Sequence, residues 1–506
     1  MLDLIIKGGS IIDGSGCAPY SADIGIKGGR ICEIGRVFAN ARKTVDARGL
    51  TVTPGFIDSH SHSDSAIFVS PEMREKCEQG ITTSIAGMCG SSSLASAGGK
   101  LADPKNLSLL EKEGKFGSNI ATFVGHGTIR KAVMGLENRE PTEYELDKMK
   151  SLLSESIKNG ALGMSTGLIY TPGSFAKTEE LMELSKVCAA EGGLLSSHMR
   201  NESDRLIEAT EEFLSFIKES GARGIISHHK AAQRANHGKV NTTLGMIDKM
   251  NAEGYEVFCD VYPYTASSTS LSARFVPKEY TADGKTVENL SNSETLKKII
   301  DYNKTTYDID RIDWALVTSC KGHPEYEGKY ISEIAKMMGT SDLDAALELI
   351  RISGNSTGAC YFSVSEEDVT TVIKHPRAMI CTDSGVAPLS SSYHPRLRAS
   401  FPRAIRRFVR ELGAISLPEM IRKMTSLPAY VYNLSGKGYI KVGYDADICV
   451  FDYERLFDRA DYLAPDLHTE GLNYVIVGGE IAARDAEYTG SLNGKFIPRR
   501  QSRNGS

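Results

Sequence analysis

Four of the chain's 11 histidines fall at the ends of apolar runs, where the chemistry of a metal site would want them. The run Asp58-Ser59-His60-Ser61-His62-Ser63-Asp64 follows the apolar stretch Gly55-Phe56-Ile57. Alternate residues of an extended strand share a face, so His60 and His62 present two imidazoles to the same side, a usual way to offer zinc a pair of nitrogens. Alone, the pair reads more often as two partly exposed loop histidines. His198 closes Leu194-Leu195-Ser196-Ser197, and His228 closes Ile225-Ile226-Ser227. A lone ring in such a place is usually a packed histidine, but its recurrence on successive strands behind an HxH pair is hard to assign to chance. His229 is adjacent to His228 and should face the other way as a structural residue. Asp383 ends Ala378-Met379-Ile380-Cys381-Thr382, where a carboxylate can ligate metal, serve as general base, or merely cap a helix. Cys89 sits in Gly87-Met88-Cys89-Gly90; most of the 10 cysteines read as packing, but glycines on either side would let the backbone approach an ion.

These residues need elements to position them. Strand-like runs at 55–62, 81–89, 120–126, 161–167, 193–198, 224–229, 255–262 and 378–383 alternate with helical patterns. One such pattern carries Leu146, Met149, Leu153 and Ile157 on a face, and another carries Leu206, Thr210, Phe213 and Ile217. Strands alternating with helices in this way predict an α/β chain folded as a (β/α)8 TIM barrel over 54–429, with its chemistry at the carboxyl ends of the strands. The interval between the last two strands, about a hundred residues, exceeds what a βα unit needs. Its excess, about 272–372, has helical patterns such as 343–350 and is expected to form an inserted lid subdomain. Short β-type runs at 4–7, 10–13, 23–27 and 30–34 return in kind at 447–451 and 474–484, with Gly28-Gly29 and Gly478-Gly479 as hairpin signals. A small β-sandwich built from both termini, 1–53 with 430–485, is the expectation.

Composition narrows the function. A formal net charge of -5, with 59 basic against 64 acidic residues, argues against a nucleic-acid or membrane-surface partner. Cysteines without CxxC pairs or a disulfide framework, no signal-peptide pattern and no long apolar run point to a cytoplasmic protein with reduced thiols. The basic close at Arg499, Arg500 and Arg503 reads as a tail. A small-molecule substrate is expected, acted on by a monomer or homodimer.

HxH after the first barrel strand, His at the fifth and sixth and Asp at the eighth resemble the amidohydrolase superfamily. The chain is most similar to its N-acyl-D-amino-acid deacylases, the D-aminoacylases. The runs that carry the resemblance are Pro54-Gly55-Phe56-Ile57-Asp58-Ser59-His60-Ser61-His62, Gln79-Gly80-Ile81-Thr82-Thr83 and Gly125-His126-Gly127-Thr128-Ile129-Arg130. Ser165-Thr166-Gly167-Leu168-Ile169-Tyr170-Thr171-Pro172-Gly173, Ser227-His228-His229-Lys230, Asp260-Val261-Tyr262-Pro263-Tyr264 and His394-Pro395-Arg396 complete them.

The resemblance implies a zinc-dependent hydrolase that cleaves N-acyl-D-amino acids to a carboxylate and a free D-amino acid. It implies one tight zinc site from Cys89, His198 and His228, with Cys89 bridging to a weaker second site at His60 and His62. Asp383 would be general base and acid, and Lys230, Tyr262, Ser268 and Arg396 would recognise the substrate carboxylate. Where the family carries Asn before the ligand Cys, this chain has Met88. A cyclic-amide hydrolase is the competing reading, but that group bridges its metals with a lysine at the fourth strand, which here ends Gly163-Met164-Ser165-Thr166-Gly167. D-dipeptidase activity is nearer, since a peptide is also an N-acyl amino acid. A non-catalytic scaffold would have lost ligands or base, and the chain retains all six.

Overall fold

Short apolar runs that stay buried on both faces are the mark of parallel strands covered by helices, and Ile81–Ala86, Leu194–His198 and Val257–Val261 are buried at every position. The computed structural model describes residues 1–93, 115–307, 309, 311–387 and 394–499, so Arg500 and Arg503 of the basic close lie outside the described residues. The fold is α/β. Phe56–Asp58 pairs in parallel with Ile81–Ala86, and that strand with Asn119–Thr122. After the single residue Phe123, Val124–Gly125 continues to Gly163–Gly167, Leu194–His198, Gly224–Ile226, Val257–Val261 and Ala378–Ile380. The run then returns to its start. Ser61 bridges Ser384 in parallel, the Asp383 amide donates to the His60 carbonyl at 2.9 Å, and the His62 amide donates to the Ser384 carbonyl at 3.0 Å.

The strands are shorter than the apolar runs suggest. Cys89, His228 and Asp383 all have positive φ (52°, 34° and 49°), so the backbone leaves the sheet at or just before each of them. Left-handed backbone at a non-glycine residue is held only by its surroundings, and it clusters at functional sites.

Helices cover the outside of the ring. Glu143–Lys158 starts at a capping box between Thr142 and Glu145 and buries Met149, Leu153 and Ile157. Leu206–Ser220 buries Leu206, Thr210, Phe213 and Ile217 and stops at left-handed Gly221. Both helical faces are those the periodicity predicts.

The two chain ends share one nine-stranded sheet, joined where Thr51–Pro54 pairs antiparallel with Ile448–Phe451. The glycine pairs 28-29 and 478-479 make the hairpins, with positive φ at all four. The separate runs at 4–7 and 10–13 are one strand, Leu2–Ile11, with a register shift between Ile6 and Gly9. Between the last two ring strands, Ala266–Ser270, Ala315–Cys320 and Thr357–Phe362 form an antiparallel sheet. It packs with helices such as Asp342–Ile352 around a separate apolar cluster that includes Phe275, Ile299 and Leu349. Helix Glu366–Lys374 instead sends Val369, Val372 and Ile373 into the cluster beneath the ring helices. Among the described residues no helix is long and apolar enough to cross a membrane.

Candidate metal centre

The turn after Ile81–Ala86 has to be tight, because a Cβ on Gly87 would fall 2.2 Å from the Phe123 carbonyl oxygen and one on Gly90 2.6 Å from the Gly167 nitrogen. That turn points the Cys89 thiol inward, 3.3 Å from His60 Nε2 and 3.3 Å from His228 Nε2. Cys89, His198 and His228 each offer a ligand atom, all within 4.8 Å of one another; His60, His62, Cys89 and Asp383 do the same. The two sets share the thiol. All six sequence candidates therefore come together. Among the described residues both ring nitrogens of His198 are buried without a hydrogen-bond partner, which a bound ion would remedy. Thiolate with imidazole is a borderline-soft donor set, suited to zinc rather than magnesium or calcium.

Charge in the pocket is arranged to match. Burial pushes the Cys89 thiol up, but the imidazoles of His60 and His228 outweigh it and hold the group well below the usual thiol range. Burial and the neighbouring Lys230 push His228 down, yet Asp383, Glu202 and Cys89 raise it to about 9. His229, by contrast, is held to about 3 by burial and Lys230, and it bonds Thr243 Oγ1 at 2.8 Å. It is a neutral packing residue, as adjacency to His228 predicts.

Asp383 faces the donor set with one oxygen and a cation with the other. Its Oδ1 lies 3.2 Å from His62 Nε2 and 3.5 Å from His60 Nε2, while Oδ2 accepts from Arg396 Nη1 at 2.6 Å. Burial alone would raise this carboxyl, but Arg396, His228 and His62 hold it well below the usual carboxylate range. Arg396 opens helix Arg396–Arg403, lies 5.2 Å from the Tyr262 ring centre and reaches the Ser268 carbonyl at 3.5 Å. Lys230 Nζ lies 5.6 Å from the same ring, and the Tyr262 hydroxyl is buried without a partner. Lys230, Tyr262, Ser268 and Arg396 line one cavity of about 920 Å³ together with His62, His198, His228 and Asp383.

Two carboxylates at the centre escape the sequence reading. Glu202 Oε1 sits 3.0 Å from His228 Nδ1 and accepts from Lys230 Nζ at 2.6 Å, and its Oε2 is 3.5 Å from His198 Nε2. Asp260 Oδ1 accepts from the His228 amide at 2.6 Å and lies 3.4 Å from His60 Nδ1. Each lies beside the ring nitrogen that points away from the thiol, and at His228 Nδ1 the Lys230 ammonium stands within 2.9 Å as well. For Asp260 a signal exists, since alternation puts it on the same face as Tyr262. Glu202 lies past the end of Leu194–His198 with no periodicity to single it out. Arg274 lines the same cavity, with its guanidinium 5.4, 5.9 and 5.2 Å from the ring centres of Tyr307, Trp314 and Tyr361. Its Nε is buried with no hydrogen-bond partner among the described residues.

Comparison with known proteins adds an independent line. The model of the amidohydrolase family matches residues 43–190 and 303–483. N-acyl-D-glutamate deacylase of Alcaligenes xylosoxydans xylosoxydans is 36% identical over 94% of this chain and 93% of its own. D-aminoacylase of the same organism is 33% identical over 98% of each. Among solved structures, N-acyl-D-glutamate deacylase from Bordetella bronchiseptica, complexed with zinc and a phosphonate mimic of the tetrahedral intermediate, superposes with a TM-score of 0.86. It is 34% identical over 98% of this chain and all of that one.

Proposed function

The chain belongs to the amidohydrolase family, among the N-acyl-D-amino-acid deacylases, and from that premise we propose that it is a zinc-dependent hydrolase releasing D-amino acids from their N-acyl derivatives. One observation carries the reading: Asp383 touches both His62 of the donor set and Arg396, so a proton acceptor stands between a place for a metal and a cation that can take a carboxylate. We read the ring as a (β/α)8 barrel over 54–429 with a lid inserted between its last two strands, beside a β domain of 1–53 and 430–485 that the two chain ends build as one sheet.

Cys89, His198 and His228 would hold the tight zinc, with His60 and His62 forming a weaker second site through the shared thiol. Bound there, zinc supplies Lewis acidity, polarising the amide carbonyl and making water a nucleophile at neutral pH. Asp383 takes the proton from the attacking water on Oδ1, the oxygen facing the donor set, and returns it to the leaving nitrogen as the C–N bond breaks. Arg396 and Lys230 clamp the α-carboxylate, and the unpartnered Tyr262 hydroxyl donates to it. With carboxylate and scissile carbonyl both fixed, inverting the α-carbon drives the side chain into the space meant for hydrogen, so one enantiomer is refused.

Arg274 points to the side chain of the substrate. Among the described residues its buried Nε has no hydrogen-bond partner and its guanidinium no carboxylate, and such a group in a half-buried aromatic setting is satisfied by a bidentate acid, which favours N-acyl-D-glutamate or N-acyl-D-aspartate over neutral substrates. A hydrolysis panel with free amine as readout tests both claims. N-acetyl-D-glutamate should react far faster than its L-enantiomer or its α-methyl ester. Arg274→Met should lower kcat/KM for it by about 10²-fold, as losing a charge-assisted pair does, while sparing N-acetyl-D-leucine. Preference for L-substrates, or equal rates for acid and ester, overturns the reading.

A further inference from the structure

Lys76 takes no part in this reaction, yet its side chain is wholly buried (0%), which is costly for an ammonium unless every donor finds a partner. Every donor does. Nζ donates to Asp58 Oδ2 at 2.9 Å, to Thr382 Oγ1 at 2.9 Å and to the Ser384 carbonyl at 3.0 Å. Two of those three acceptors flank Asp383. Asp58 finishes the net, accepting the Thr382 amide on Oδ1 at 2.8 Å and the Thr382 hydroxyl on Oδ2 at 2.6 Å. Between the gripped residues Asp383 stands at φ 49°, a conformation that an aspartate keeps only where its neighbours over-determine it.

The same short segment reaches the other half of the site. Gln79 Nε2 donates to the Leu397 carbonyl at 2.7 Å, one residue past Arg396, and to the Glu75 carbonyl at 2.9 Å. Glu78 and Glu75 meet Arg398 at 3.2 and 3.6 Å. One stretch of five residues thus fastens the chain on both sides of Asp383 and the helical turn that carries Arg396.

We propose that residues 75–79 are a brace that keeps the proton acceptor and the carboxylate clamp in register, with Lys76 the positioning residue for Asp383 and Gln79 the positioning residue for Arg396. The inference rests on the roles given above to Asp383 and Arg396. It predicts a split that a general loss of structure does not produce, because each arm of the brace serves a different kinetic constant.

The test uses the zinc-loaded full chain and N-acetyl-D-glutamate, with zinc content and melting temperature measured beside kcat and KM. The variants are Lys76→Met, Gln79→Leu and the double change Lys76→Met with Asp58→Asn, which removes both charges so that no carboxylate is stranded. Lys76→Met and the double variant should lose about 10²-fold in kcat, the effect of a misplacement of about 1 Å, with KM held within about threefold. Gln79→Leu should instead raise KM about tenfold with kcat nearly unchanged, the pattern of weakened substrate binding. In an Asp383→Asn background, Lys76→Met should cost nothing more. A folded, zinc-loaded double variant with wild-type kcat overturns the proposal. So does an equal slowing by Lys76→Met in the Asp383→Asn background, or parallel loss of zinc and kcat in every variant. Normal turnover by Asp383→Asn alone would remove the base assignment itself, a separate result that takes the brace with it.

Discussion

Changing Glu202 to Gln tests whether a carboxylate that no motif announces governs the metal. Its Oε1 serves His228 Nδ1 at 3.0 Å and Lys230 Nζ at 2.6 Å, while Oε2 faces His198 Nε2 at 3.5 Å. In the carboxamide one of those faces becomes an N–H₂ group, which opposes either an ammonium or a ring N–H, and the remaining carbonyl loses its charge. A hydrogen bond to a charged group contributes about 1.5–3 kcal/mol, against about 1 kcal/mol for a neutral one. Among the described residues His228 Nδ1 meets only this carboxylate and Lys230 Nζ, so the loss passes to the basicity and aim of Nε2. Zinc affinity should therefore fall about 10–100-fold, in keeping with other partners of metal-bound histidines. The assay is competition with a chromophoric chelator at fixed pH, with wild type and variant side by side and far-UV circular dichroism to show that the fold is intact. Because Glu202 also neutralises Lys230, KM for a carboxylate substrate should shift by far less than the metal affinity, since Arg396 still holds the substrate. Zinc affinity within about threefold of wild type would refute the reasoning, because it would mean that the 3.0 Å contact does not orient the ring.

The remaining predictions bear on the other donors. Cys89→Ala should lose most of the tightly held zinc, because it removes the one donor common to both sets, and metal analysis that finds zinc retained would strike Cys89 from the ligands. Asp383→Asn keeps shape but cannot take a proton, so kcat should drop by about 10²–10⁴ with zinc still bound, and near-normal turnover would contradict its role. His228 without metal is raised to about 9 and so carries a proton at pH 7 that the ion must displace, whereas the Cys89 thiol is held well below its usual range. Apparent zinc affinity should rise by up to about tenfold per pH unit for that group from pH 7 and level off above its pKa; a flat profile over this range would contradict the assignment.

His60, His62, His198, His228 and Asp383 stand out in the sequence for one physical reason, whereas Cys89 reads as packing until the family resemblance singles it out. A titratable group that ends an apolar run is expensive to place there unless something uses it, and a barrel-like series of runs brings those ends to one rim. The helical faces are legible for a similar reason, since Met149, Leu153 and Ile157 can share a buried stripe only at helical spacing. Lys76 and Glu202 obey no such rule. Lys76 lies on the four-residue helix Arg74–Cys77, too short for any periodicity to show, and nothing local distinguishes it from the charged surface residues it resembles. Its burial follows from a partner 306 residues away, at Thr382. Glu202 likewise becomes important only once Gly224–Ile226 lies beside Leu194–His198 and swings His228 towards it. The strand ends were hidden too, because Cys89, His228 and Asp383 adopt left-handed backbone without being glycines themselves. What spacing conveys is therefore which groups gather at one rim of the ring. The groups that hold them there are chosen by contacts across the ring, and such contacts have no period along the chain.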